Sequence, residues 1–398
     1  MSEKAISRRD SSMTHRERAL AVLRYQPYDR MPIVHFGFWG GITLQKWAAK
    51  GHLPASEAEA WSDGNAMDAV ISARLGFDFN YQNMFSPHNR LWPGFEGKVV
   101  REFPDGTRHV LNGNGVVVVS KLDATSIPSE IDHLLKDRPS WEAHYKRRYQ
   151  WSEERVTHAS VRDAEKKALR FDQGGREVLR ASEWTPPYGL HCGSLFGQIR
   201  DVLGLENACY LQVDDEGLFG EIVQTVGDLS FACVKYALES GARLDFAHFW
   251  EDISFKNGPL ISPTVFAKKV GPHYRRITDL VRQYGIDIVS LDSDGDISAL
   301  VPIWLENGVN TMFPIEVGTW GGNIRPWREK YGRGLLGVGG MDKRVFARDR
   351  AAVDAEIERL KPLVALGGYI PCPDHRIAPD AEWDLVRYYC ERMRETFG

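Results

Sequence analysis

Residues 286–315 read IDIVSLDSDGDISALVPIWLENGVNTMFPI, and this stretch decides the fold class. An apolar run, Ile286–Leu291, ends in Asp292-Ser293-Asp294-Gly295, and a helical pattern follows over 296–306. Asn307-Gly308 stops that helix, as glycine past a last turn does. A second apolar run, Val309–Ile315, begins at once. Continuous apolar strands joined by a helix predict parallel pairing under a helical cover.

The unit repeats on both sides. Upstream, Leu244–Trp250 precedes a helix over 263–284, with Ser262-Pro263 placing proline in its first turn. Downstream, strands Gly334–Val338 and Gly368–Cys372 alternate with helices over 325–332, 343–365 and 380–396, the last capped by Asp380. The N-terminal half adds strands Met31–Gly37, Phe77–Gln82 and Tyr188–Cys192, behind a helix that Thr14 and Glu17 open as a capping box. Three strands plus five make eight, the number a closed (β/α)8 TIM barrel needs. An open doubly wound sheet would want a glycine-rich fingerprint after its first strand, and Phe38-Trp39-Gly40-Gly41 is none. The predicted class is therefore α/β, a single TIM barrel over 13–398 behind a disordered leader, 1–12. An insertion at about 93–180 separates the second and third strands. It holds a β-hairpin, Arg101–Thr107 with Arg108–Ser120, turning at Asp105-Gly106, and a helical stretch from Trp141 to Lys167. It reads equally as a lid, a docking element or solvated decoration.

Composition closes off other classes. The 398 residues carry 50 basic and 54 acidic side chains, net charge −4, so no basic face for nucleic acid is indicated. No apolar run reaches membrane-spanning length, and Met1–Ser12 has no secretory apolar core. Five cysteines, an odd number with no CxxC pair, argue against a disulfide framework and for a reduced, cytoplasmic setting.

Catalytic groups of such barrels sit at the C-terminal ends of the strands. Reading past each end collects His35, then His191 and Cys192, then His248, Glu251 and Asp252, then Asp292 and Asp294, then Glu316, then Asp342, and finally Cys372 and His375. Each has a bland reading. Asp292, Asp294 and Asp342 would cap helices, Cys372 would be a small buried hydrophobe, and alternation along the strand turns one of His248, Trp250 and Glu251 away from the lumen. Five consecutive strands delivering an acid, thiol or imidazole to one rim favour a site. Several carboxylates in one cavity need a counter-charge, either a proton on one of them or a cation among them. Cys372 beside carboxylates suits zinc with oxygen and sulfur ligands, although no HxH, HExxH or CxxC is present.

Certain segments resemble the uroporphyrinogen decarboxylase superfamily. They are Arg30-Met31-Pro32, Trp250-Glu251-Asp252-Ile253 with Asn257-Gly258-Pro259-Leu260-Ile261-Ser262-Pro263, Asp292-Ser293-Asp294-Gly295, Asn307-Gly308-Val309-Asn310 and Pro314-Ile315-Glu316. Gly339-Gly340-Met341-Asp342-Lys343 and Gly367-Gly368-Tyr369-Ile370-Pro371 belong with them. The resemblance spans about 14–398 and implies either cofactor-free decarboxylation or corrinoid-linked methyl transfer. True decarboxylases carry Arg-Gln-Ala-Gly-Arg after the first strand; here His35-Phe36-Gly37-Phe38-Trp39-Gly40-Gly41 has no arginine, so a many-carboxylate substrate is not implied. The thiol methyltransferases carry His-x-Cys-Gly where Asp292-Ser293-Asp294-Gly295 stands, and a late cysteine matched by Cys372. The shift toward oxygen ligands points to a demethylating component.

The resemblance thus implies zinc on Asp294 and Cys372, with Asp292 or Glu316 assisting. A small methyl donor, such as a methoxylated aromatic, would sit among Phe36, Trp39, Phe85 and Trp250. His375 or Glu251 would handle the proton, with Asp252 among the catalytic acids. His35, His191, His248 and Asp342 would contact the substrate. The acceptor would be a corrinoid on a partner protein, and relatives imply a homodimer. The competing expectations are a metal-free decarboxylase or lyase for a small acid, and a tetrapyrrole-binding module without turnover.

Overall fold

The computed structural model describes residues 13–121 and 128–398; the expected leader, 1–12, lies outside them. Thr14 and Glu17 form the reciprocal capping box at the head of helix His15–Leu23. Arg30 then grips both oxygens of Asp78, at 2.6 and 2.7 Å, and the Ile33 amide donates to the same carboxylate. This paired bond aligns the first strand with the second.

The parallel strands are β1 Val34–His35, β2 Phe79–Asn80, β3 Met84–Phe85, β4 Gly189–Gly193, β5 Phe246–Trp250, β6 Ile288–Asp292, β7 Thr311–Phe313, β8 Leu336–Met341 and β9 Tyr369–Pro373. Seven of them form one parallel sheet in the order β9-β8-β7-β6-β5-β4-β3, and β1 pairs with β2 separately. Every residue of β6, β8 and β9 is buried, as parallel strands covered on both faces require. The segment holding β2 and β3 is shared between the two sheets. It meets β1 through Val34 and Phe79, and β4 through Gly189 and Met84. At the other margin Phe38 forms an isolated parallel bridge with Ile377. The parallel ladders among the described residues are therefore a seven-stranded sheet and a two-stranded one, not a continuous ring of eight.

The helices are shorter or more broken than their periodicity suggests. The 263–284 pattern is interrupted by a π-turn, Phe266–Val270, before helix Gly271–Gln283. The 296–306 pattern becomes helical only at Val301, because the Asp296 amide is held by the Phe255 carbonyl and Pro302 sits in the first turn. Lys343–Ala347 is a 3-10 turn ahead of helix Arg350–Val364. Asp380 caps nothing. The last helix starts at Trp383, and the amide of its N-cap residue, Glu382, is held by the Phe346 carbonyl.

The insertion departs most from expectation. Its predicted second arm is two strands, since Asn112–Gly115 makes another turn. Lys98–Glu102, Arg108–Leu111, Val116–Ser120 and Glu130–His133 form a four-stranded antiparallel sheet. Residues 141–167 are short turns, helix Glu154–Thr157 and strand Ser160–Arg162, which pairs antiparallel with Ala168–Arg170, not one long helix. The cause is Arg155, which is buried and donates to the carbonyls of His88, Arg90, Trp92, Arg148 and Gln150. A chain wrapped around one guanidinium cannot run straight. No helix among the described residues is long and apolar enough to cross a membrane.

Candidate active site

The C-terminal ends of the strands open on a cavity of about 530 Å³. β6 delivers Asp292 at its last position, and Asp294 follows two residues later. Asp252 lies two residues beyond β5, at φ +50°, a left-handed backbone that a non-glycine residue adopts at a cost. That twist turns its carboxylate to accept the Asp294 amide at 3.2 Å. Oxygens of Asp252, Asp292 and Asp294 all lie within 4.8 Å of one another. Gly295 makes the turn possible. Its φ is +80°, and a Cβ there would stand 2.4 Å from the Ser254 carbonyl oxygen.

Burial pushes the Asp292 carboxyl well above the usual carboxylate range, and Asp252 and Asp294 push it further. Burial and then Asp294 raise Asp252 as well. The three cannot all be ionised without a cation or proton among them. Gln82 reaches Asp292 at 3.4 Å, and His375 Nε2 lies 3.2 Å from Asp294. The His375 ring packs against Trp39 and Phe36, with centroids 5.4 and 5.6 Å apart.

Two further histidines line the cavity in neutral form. Burial lowers His248 to about 3, and burial followed by Arg90 and His248 lowers His191 well below its ordinary value. His248 Nδ1 bonds Ser290 Oγ at 2.6 Å, while its buried Nε2 has no partner among the described residues. A buried nitrogen with no partner, on a cavity wall, is free for a ligand or water. Trp250 completes the apolar wall.

Of the residues singled out from sequence, Asp252, Asp292, Asp294, His375, His191, His248 and Trp39 line this one cavity, with Phe36 and Trp250. The others do not. Glu251 points the opposite way, into the core, and accepts from Ser194, three consecutive amides (Leu195, Phe196 and Gly197) and Tyr274. Glu316 stands behind the acid turn and accepts the Gly295 amide at 2.7 Å and Thr319 at 2.9 Å. Cys372 is fully buried, and burial, then Asp374, push its thiol well above the ordinary range. It is not in the carboxylate group, so the Asp294 and Cys372 ligand pair is not assembled. His35 is buried, bonding Ser72 through Nε2 and the Gly37 amide through Nδ1. Asp342 caps the following 3-10 turn and pairs with Arg344 at 2.7 Å. Phe85 is fully buried, stacked on Phe171.

The cavity also holds Gln82, Arg90 and Arg376, which sequence reading missed. Gln82 closes a predicted strand and Arg376 follows His375, so the strand-end rule reaches both. Arg90 lies in an irregular loop with no such signal.

The fold and cavity together define an α/β chain with a polar, acid-lined site at the carboxyl edge of a parallel sheet. Among solved structures, the chain is similar to a methyltransferase from Methanosarcina mazei, with TM-score 0.58 and 14% identity over 96% of this chain and 99% of that one. At that identity the likeness concerns the fold. A candidate vitamin-B12-independent methionine synthase from Listeria monocytogenes aligns over 56% of this chain and 68% of its own, at 14% identity and TM-score 0.35, too low to argue from. No protein-family model and no curated protein sequence matches the chain.

Proposed function

We propose that this chain is a methyltransferase component that moves a methyl group from a small donor in the cavity to a corrinoid on a partner protein. The observation carrying the reading is the convergence of Asp252, Asp292 and Asp294 in an aromatic-walled cavity at the strands' carboxyl ends. The likeness in fold to a methyltransferase supports it, and so does the placement of the site at the carboxyl ends of the parallel strands.

Three oxygen donors fit a hard divalent cation better than they fit zinc with sulfur. Asp252, Asp292 and Asp294 would hold it, and a cation there supplies Lewis acidity to the leaving atom. In its absence the same group retains a proton, which serves as a general acid. His375 orients Asp294, and Glu316 with Gly295 fixes the turn that presents both aspartates. Phe36, Trp39 and Trp250 shield the reacting methyl group from water.

The second reading, a metal-free lyase for a small acid, rests on Asp292, a buried carboxyl whose hold on a proton is raised by burial and then by Asp252 and Asp294. Elemental analysis of the purified protein and incubation with methoxybenzoate and cob(I)alamin separate the two. Bound divalent metal and methylcobalamin formation, both lost in Asp292→Asn, are expected. Carbon dioxide release from a small acid by metal-free protein would support the lyase instead.

A further inference from the structure

We infer that the cavity has an anion-binding end built on Arg90, and that the methyl donor is an aromatic carboxylate. The inference rests on the methyl-transfer reading for the word donor only. The cavity contains two guanidinium groups with different partners. Arg376 is already paired with Asp63 at 2.7 Å. Arg90, among the described residues, has no carboxylate within ion-pair distance and no side-chain hydrogen bond. It lies over the Trp250 ring, 4.3 Å from the centroid, an arrangement that fixes the guanidinium plane and leaves its N–H edge open.

The loop carrying Arg90 is fixed. Buried Arg155 holds the carbonyls on Arg90 and on the residues two before and two after it, His88 and Trp92. The insertion thereby positions a cation on the cavity wall, and a grip held in place before binding loses little freedom on meeting its ligand. Neutral His191 beside it offers a ring nitrogen and no competing charge. Trp250 and Trp39 supply flat apolar walls. Asp252, Asp292 and Asp294 share the cavity but none is within ion-pair distance of Arg90, so the cavity offers both a group that demands a cation or proton and a guanidinium left to take an anion. An aromatic ring with a carboxylate on one side and a methoxyl on the other satisfies both. Guanidinium and carboxylate form the paired, charge-assisted bonds that make such recognition selective.

The test uses 4-methoxybenzoate and its neutral counterpart methoxybenzene as probes, titrated into the full-length protein by calorimetry. The acid is expected to bind roughly tenfold or more tightly than the ether, and Arg90→Met to erase the difference, since a bond to a charged partner is worth about that much. Arg90→Lys should keep part of it, and unchanged melting temperatures verify that both variants fold. Equal binding of acid and ether, failure of the acid to bind at millimolar concentration, or acid binding that survives Arg90→Met overturns the inference. The readout needs no turnover. If methyl transfer fails while the parent protein still prefers the acid and Arg90→Met still erases that preference, the anion end stands and the chemistry falls.

Discussion

Asp292 is 5% exposed, in the company of two other carboxylates, and the nearby Arg376 is already engaged by Asp63. A buried acid so placed costs stability when it is ionised and alone. Asp292→Asn keeps the shape and removes the charge. In metal-stripped protein it should leave the melting temperature unchanged or stabilise by about 1 kcal/mol. Affinity for Mn²⁺ should fall roughly hundredfold, as loss of one of three charged ligands implies. Scanning calorimetry and titration with Mn²⁺ check both halves, and a variant that unfolds easily yet binds the ion normally would assign Asp292 a structural role. Sequence reading reached this aspartate because a strand end is an address: the last residue of a parallel strand faces the mouth. The same rule also picked out Glu251 and Cys372, whose backbones share the address while their side chains face the core. Alternation separates Glu251 from its neighbours Trp250 and Asp252. Arg90 had no address at all, since a buried guanidinium far along the chain, Arg155, sets its position.

At the scale of elements, the frame behind β5 and the acid turn are independent. Glu251 joins β5 to helix Gly197–Leu203 by accepting three successive amides and two hydroxyls. Burial raises its carboxyl, and these donors oppose the rise. Glu251→Gln replaces an oxygen acceptor with a donor facing donors, so a loss of about 2–4 kcal/mol in urea unfolding is expected, with Mn²⁺ affinity little changed. Should affinity fall in step with stability, Glu251 belongs to the site and not to the frame. Gly295→Ala acts on the turn itself. The left-handed backbone and the Ser254 carbonyl both exclude a methyl group, so the turn must move, costing about 2–4 kcal/mol and the convergence of Asp292 with Asp294. Loss of Mn²⁺ binding together with stability is the expected signature. The strands that carry these groups were legible as short apolar runs; each begins one to three residues later than expected, and Ile288–Asp292, Leu336–Met341 and Tyr369–Pro373 run one to three residues past the expected end. The helices were legible as patterns, but their starts were not. Pro302 stands in the sequence but outside its periodicity, and the Phe255–Asp296 and Phe346–Glu382 bonds are tertiary facts that periodicity does not contain.

For the whole molecule, burial sets how stability responds to acid. His35, His191, His248 and His273 are all held below the ordinary histidine value, with burial the leading cause in each. The unfolded chain protonates them as pH falls through about 6.5, and the native protein does not, so they withdraw stability on acidification. The raised carboxyls, Asp252, Asp292, Glu251 and Glu316, act in the opposite sense, because the native state binds their protons first. His273 isolates one contribution away from the cavity. It is 7% exposed, packed on Gly227, and lowered to about 4 by burial and then by Arg276, whose partner Asp228 lies 2.6 Å from it. Its stabilising share is complete above about pH 6.5 and is lost toward pH 4, with a slope of up to about 1.4 kcal/mol per pH unit. His273→Gln removes that titration. Urea midpoints between pH 7 and pH 5 should therefore fall less steeply for the variant than for the parent, whereas parallel curves would show that His273 takes up its proton in the folded state.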